Sequence, residues 1–228
     1  MQEINLTIIG SNSDLVKPLI EQANSNNIYL QKIDRTDWDL STKIPNNKVL
    51  SKIINFEPSH LLFSAGINQP LDLENIESKD LIKNIELHIN INCISLISLI
   101  NSLKNKMDKP LKGVHIISSL YGIYGRKTRL PYSISKHALE ASIKCLALEY
   151  PETQFIGYRP GFFDTKLTST NMDKKMKERI SEKIPSCRLG KVEEFSKLLI
   201  HNIMHSPYYL TGSIITIDGA LTAGGFFN

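Results

Sequence analysis

Short apolar runs alternate with helical patterns from one end of this chain to the other, and nearly every run ends in small or polar residues. Residues 6–9 end at Gly10, residues 28–33 at Asp34-Arg35, and residues 60–63 run into Ser64-Ala65-Gly66. Residues 114–117 lead to Ser118-Ser119, residues 154–158 to Pro160-Gly161, and residues 213–217 to Asp218-Gly219. Between them, apolar residues recur at helical spacing over Leu15, Val16, Leu19 and Ile20, then over residues 48–56, 80–106, 131–150 and 192–204. Such alternation predicts an α/β fold, a Rossmann-type doubly wound parallel sheet of about seven strands with helices on both faces and right-handed crossovers. After residues 28–33 the chain reaches Trp38-Asp39-Leu40 with no room for a helix. A third strand is therefore expected almost directly after the second, across a shortened second crossover. Another amphipathic stretch carries Met172, Met176, Ile180 and Ile184 on one face and Lys174, Lys175, Lys177 and Arg179 on the other.

At 228 residues, without a linker or repeat, the expected organisation is one domain spanning 1–228. A hydrophobic fraction of 41% and a charged fraction of 22% exclude a disordered or collagen-like chain. The net charge of +4 is spread among interleaved acids, which argues against a nucleic-acid partner. Cys93, Cys145 and Cys187 are far apart, without metal or redox spacing, and fit a reducing compartment. No basic leader precedes the first apolar run, and residues 93–103 are too short and too interrupted by serine and asparagine to cross a bilayer. A cytoplasmic location with no membrane partner is the expectation.

Chemistry is concentrated where the runs end. Tyr132 and Lys136 stand four positions apart near the front of a helical pattern and so share one face. An ammonium beside a phenol favours the phenolate and would bring it toward neutral pH. The pair can then exchange protons with a substrate oxygen. At the first run, Gly10-Ser11-Asn12-Ser13 forms a polar turn into a helix, the arrangement whose amides bind phosphate. Asp34 could accept hydrogen bonds from an adenosine ribose, whereas Arg35 could accept a 2′-phosphate, so NAD(H) against NADP(H) stays open. Small residues at Ser64-Ala65-Gly66 let a ligand approach the backbone. Strand alternation sends only one of Ser118 and Ser119 toward a ligand.

With these residues in order, the chain resembles the short-chain dehydrogenase/reductase family over almost its full length. Tyr132 and Lys136 match the family's Y-x-x-x-K; Ile117-Ser118-Ser119 matches I-S-S at the usual distance ahead of the tyrosine. Asn92 falls at the fourth catalytic position, and Pro160-Gly161-Phe162-Phe163-Asp164-Thr165 matches the P-G-x-x-x-T segment beside nicotinamide. Ile184-Pro185, Arg188-Leu189-Gly190, Leu210-Thr211-Gly212 and Asp218-Gly219 match its C-terminal third. The resemblance implies an NAD(P)(H)-dependent oxidoreductase that interconverts a carbonyl and a secondary alcohol by hydride transfer. It implies Tyr132 as general acid or base, Lys136 as the cation that lowers its pKa and holds a ribose hydroxyl, and Ser119 as donor to the developing oxyanion. Asn92 would help hold a water relaying protons to Lys136. Cofactor contacts are implied at Gly10, Ser11, Asn12, Ser13, Asp34, Arg35, Asp39, Leu40, Ser64, Ala65 and Gly66. Further contacts are implied at Tyr132, Lys136, Pro160, Gly161, Phe163 and Thr165. A homodimer or homotetramer through the middle and Tyr132 helices is implied as well.

Two departures stand out. Ser64 replaces the asparagine of the family's N-A-G. In the glycine-rich turn only Gly10 remains: Val16 stands at the third glycine, and Asp14 places a carboxylate where it would repel pyrophosphate unless it turned away. A nucleotide-sensing or scaffold protein on the same fold is therefore the competing class. Asn90 competes with Asn92 on spacing, Tyr121, Tyr124 and Tyr158 read as packing or pocket-wall residues, and the six histidines show no metal-ligand spacing. No metal is expected. Arg126, Lys127, Arg129, Lys166, Lys174 and Lys175 fall in the two segments that border the family's substrate mouth. They suggest an anionic or sugar-derived substrate, or else a solvated basic face.

Overall fold

The computed structural model describes residues 3–166, 168 and 173–224; Met172 lies outside them. The core is one parallel sheet of six strands in the order β2-β1-β3-β4-β5-β6. These are β1 (Ile4–Ile9), β2 (Ile28–Ile33), β3 (His60–Phe63), β4 (Gly113–Ile117), β5 (Gln154–Pro160) and β6 (Ile214–Ile217). The central strands are almost wholly buried because helices cover both faces, which is why they read as continuous apolar runs.

Alternation along each strand divides the core in two. Ile9, Leu61, Phe63, Val114, Ile116 and Phe155 pack beneath α2 (Asn47–Phe56), α4 (Ser95–Lys104) and α5 (Leu130–Glu149). Leu6, Ile8, Leu62, Ile156 and Tyr158 pack on the opposite face beneath α1 (Lys17–Gln22) and α7 (Val192–His205). Between these lie α3 (Ser78–Ile89), a π-helical turn over Asn90–Ile94 that joins it to α4, and α6 (Lys174–Lys183). Asn46 accepts from the Val49 amide to start α2, and Asp173 accepts from Met176 to start α6.

Strand order departs from the expectation at the sheet edge. Trp38 is not in a strand: the Asp34 carbonyl accepts the amides of both Asp37 and Trp38, closing a turn, and Leu40–Thr42 forms a short 3₁₀ helix. Trp38, 3% exposed, is buried against the core instead. The β2 strand is thus the edge, and the chain returns through α2 to pair β3 with β1. Chain direction across the sheet reverses between β1 and β3, which opens a crevice at their carboxyl ends.

Candidate active site

The crevice is a cavity of about 640 Å³. Its wall contains Gly10, Asn12, Ser13, Asp34, Arg35, Asp39 and Leu40 on one side and Ser64, Ala65, Gly66 and Thr165 on the other. Gly10 has φ +85°, and a Cβ there would sit 2.7 Å from the Ala65 backbone, so this position holds the strand end and the crevice floor together. The Ser64 hydroxyl donates to the carbonyl of Gly10 at 2.7 Å, bracing β1 against β3. Ser11 turns inward: its amide and hydroxyl both donate to the Asp34 carboxylate, at 2.8 Å each for the closest contacts. Asp34 is therefore held rigidly at the crevice wall. Asp39 uses its carboxylate to cap the 3₁₀ helix through the Ser41 amide.

Asp14 does turn away from an isolated position, though not to cap its helix. One oxygen pairs with Lys17 and the other accepts the Lys166 amide at 2.9 Å, so the carboxylate tethers the turn to the segment after β5. Its pKa is lowered, chiefly by Lys17. Val16 is fully buried among the residues of the α1–α7 face.

Tyr132 and Lys136 project from the first turns of α5, behind the crevice wall and not among the residues that line it. The Lys136 Nζ lies 5.7 Å from the Tyr132 ring centre and donates to the Ile117 carbonyl at 2.9 Å. A Cβ placed on Gly66 would come 3.8 Å from the same Nζ, so the lysine reaches the floor of the crevice. Ser118 and Ser119 point apart: Ser118, 3% exposed, donates to Glu140, whereas the Ser119 hydroxyl accepts from the Tyr121 amide at 3.3 Å and lies near enough to Tyr132 to lower its phenol. Tyr121 packs edge-on against Tyr132, its ring centre 5.6 Å away, and receives a hydrogen bond from Arg126.

The protonation states differ from the expectation drawn from spacing. Burial pushes the Tyr132 phenol up to about 12, against the lowering effect of Ser119, and pushes the Lys136 ammonium down to about 8. Desolvation outweighs the neighbour effect because the lysine faces a backbone carbonyl rather than the phenolic oxygen. Asn92 is fully engaged: its Oδ1 accepts from the Ile67 amide, and its Nδ2 donates to the Ile67 carbonyl and the Ser135 hydroxyl. Its side chain fixes the Gly66-Ile67 backbone. The π turn around it shifts the helical hydrogen-bond register locally, a common feature of functional sites.

Phe163, like Pro160 and Gly161, is not among the residues that line this cavity. It is 5% exposed and packs edge-on against Phe195 in the core, with Gly190 against its ring. Pro160 ends β5, and Gly161 packs so closely on Asp218 that a Cβ would come 2.7 Å from its Cα. Crevice residues that the sequence did not mark include Trp38, Ile67, Gln69, Leu87 and Ile91. Among the described residues, no group of three metal-ligating side chains occurs, and no helix is long and apolar enough to cross a membrane.

The residues present fit a dinucleotide. The crevice lies at the reversal of strand order, Gly10 keeps its floor open, and Asp34 stands at the end of the second strand. Residues 57–222 match the family described as enoyl-(acyl carrier protein) reductase. The chain is 30% identical over 229 residues to the 3-oxoacyl-(acyl-carrier-protein) reductase of Buchnera aphidicola subsp. Baizongia pistaciae, covering 95% of this chain and 87% of that protein. Its fold resembles 4-hydroxyisoleucine dehydrogenase complexed with NADH (TM-score 0.78, 19% identity, 97% of this chain and all of that one). It also resembles a gluconate 5-dehydrogenase from Burkholderia cenocepacia in complex with NADP and tartrate (TM-score 0.77, 18% identity, 98% and 96%).

Proposed function

Because the chain belongs to the short-chain dehydrogenase/reductase family, we propose that Ser119, Tyr132 and Lys136 carry its NAD(P)(H)-dependent interconversion of a carbonyl and a secondary alcohol. The observation that carries this reading is the grouping of the Lys136 ammonium beside the Tyr132 ring, close to Gly66 on the crevice wall and bonded to the Ile117 carbonyl two residues before Ser119.

The bound nicotinamide supplies or accepts the hydride. Tyr132 gives a proton to the carbonyl oxygen in reduction and takes it back in oxidation. Ser119 donates a hydrogen bond to the same oxygen as charge develops. Lys136 brings a positive charge to the phenol and a donor to a ribose hydroxyl. Asn92 holds the Gly66-Ile67 floor with its side chain and would help hold a water that relays protons to Lys136. Gly10, Asn12 and Ser13 face the phosphates; Asp34, Arg35, Asp39 and Leu40 face the adenosine; Pro160, Gly161 and Thr165 border the nicotinamide.

An anionic or sugar-derived substrate is supported by the cations on the segments around the mouth. Arg129 faces the Tyr132 phenol, and Arg126 is anchored on Tyr121, which touches Tyr132, so both cations are tied to the reacting centre. The relative crystallised with tartrate offers a parallel of the same charge. One continuous sheet supports a single domain. Exposed apolar side chains, Leu148 on α5 and Ile82 on α3, support a homodimer or homotetramer through these helices. Three free cysteines fit a cytoplasmic setting.

The test is the Tyr132→Phe protein, assayed for turnover with a panel of anionic and sugar carbonyls and for NADH and NADPH binding by nicotinamide fluorescence. Loss of turnover by about a hundredfold or more with cofactor affinity kept is expected. A protein that binds cofactor but shows no turnover even as wild type would point to the sensor class instead.

A further inference from the structure

The mechanism above leaves one buried charged cluster without a role. Glu140 lies one helical turn beyond Lys136 on α5 and is 6% exposed. Its carboxylate receives three hydrogen bonds: from Ser118 Oγ at 2.7 Å, from Arg159 Nε at 3.0 Å and from Arg159 Nη2 at 2.6 Å. Arg159 in turn donates to Thr216 on β6 at 2.9 Å. Each member is next to a residue of the site. Ser118 precedes Ser119, Arg159 precedes Pro160-Gly161, and Glu140 follows Lys136 by four positions on the same helix face. Gly122, just after Ser119, packs onto the carboxylate so tightly that any Cβ would collide with it.

A buried ion pair is weak evidence for stability by itself, because desolvation of both charges offsets their attraction. Its placement is more informative. The charged and titratable groups facing Tyr132 and Lys136 are Cys93 from the π turn, Tyr121 and Arg129 from the segment before α5, and Glu140. Glu140 is the carboxylate among them, and its negative charge favours the protonated lysine. Arg159 neutralises part of that charge at a fixed bidentate geometry.

We propose that the Glu140–Arg159 pair is a positioning device for the reaction: it clamps the Ser118-Ser119 strand end to α5 and sets the charge felt by Lys136. This rests on the reading of Tyr132 and Lys136 as the proton-handling pair. Glu140 and Arg159 touch neither substrate nor cofactor in this scheme; they act through Lys136 and Ser119.

The experiment follows the Lys136 ammonium directly, by its side-chain Cε resonance in lysine-labelled protein, assigned by its loss in Lys136→Met. Wild type should titrate near pH 8. Glu140→Gln leaves the guanidinium unbalanced and should move the midpoint down by about one pH unit; Arg159→Met, which reaches the lysine only by unbalancing Glu140, should move it up by less. The double variant, which removes both charges, should fall between the two single variants. The charge-conserving variants Glu140→Asp and Arg159→Lys decide the matter if a single neutral variant does not fold. Their midpoints should stay at the wild-type value, while their kcat falls several-fold with cofactor affinity kept. Shifts of the same sign in both neutral variants, or shifts in the charge-conserving ones as large as those of Glu140→Gln, would make the pair a packing element and overturn the proposal. The titration reads no turnover, so an inactive wild type would count against the functional reading alone.

Discussion

Acidification from pH 7 to pH 5 should destabilise this protein through two histidines far from the crevice. His115 sits in the middle of β4, 1% exposed, with Nδ1 bonded to the Tyr158 hydroxyl at 2.8 Å and Nε2 buried without a partner. His60 stacks on it with ring centres 5.8 Å apart. A proton on either ring would be desolvated and would face the other ring, and Lys112 adds repulsion at His60. Burial accordingly lowers His115 from 6.5 to about 3 and His60 to about 4. Below pH 6.5 the unfolded chain takes up protons that the folded chain refuses, so stability is fully present above 6.5 and falls as pH drops toward the folded values. At pH 5, about 1.5 units below the unfolded pKa, each ring costs about 2 kcal/mol, or about 4 kcal/mol together. That is a large part of the 5–15 kcal/mol typical of a folded domain. The lowered carboxylates Asp14, Asp37 and Asp39 start from 3.8 and titrate below this window. His88, also lowered by burial, adds in the same direction. Urea unfolding at pH 5, 6 and 7 measures the loss, and the His60→Gln/His115→Gln protein should lose about 4 kcal/mol less than wild type between pH 7 and 5. Equal losses in the two proteins would refute the reasoning.

Two further outcomes concern the crevice. Asp14→Asn should tighten NADH binding by about three- to tenfold at low salt, because it removes a carboxylate near the phosphates and releases Lys17 toward them; fluorescence titration across a salt series checks this, and weaker binding would mean that the tether to Lys166 matters more than the charge. Asp34, held by Ser11 with its charge at the crevice wall, should make the wild type prefer NAD(H), and Asp34→Ser should shift the ratio of the two affinities toward NADP(H) by about tenfold or more.

Much of this architecture was legible because its strands are buried on both faces. Runs such as residues 60–63 and 114–117 can be little else, and the small residues after them mark where a ligand can come close. The Tyr132 and Lys136 spacing was equally legible, since helix geometry alone places both on one face. What could not be read depends on contacts between distant segments. Trp38 looks like the core of a strand, yet two amides bonded to the Asp34 carbonyl turn the chain there before any pairing forms. Phe163 stands in a segment expected beside the nicotinamide, and Phe195 on α7 packs edge-on against its ring. The phenol's raised pKa comes from burial by elements that local spacing does not include. Nor does spacing show that Asn92 spends its amide on Ile67 and Ser135.

The altered glycine turn shows how a motif can lose residues without losing its place in the fold. Glycine at the third position would let helix and strand pack closely; here Val16 fills the same space and is itself fully buried with α7. Glycine at the second position would leave room for phosphate; here Asp14 has found Lys17 and the Lys166 amide, so its charge is already partly balanced. Gly10 is different in kind. Its φ of +85° and its contact with the Ala65 backbone admit no side chain, and no partner elsewhere can make up for one. The two replaced positions are those where a side chain can be accommodated by packing or pairing, and the retained one is that where it cannot. The pattern is that of a dinucleotide crevice whose turn has been rebuilt around its one indispensable glycine, which favours an enzyme with an adjusted phosphate site over a scaffold whose site has decayed.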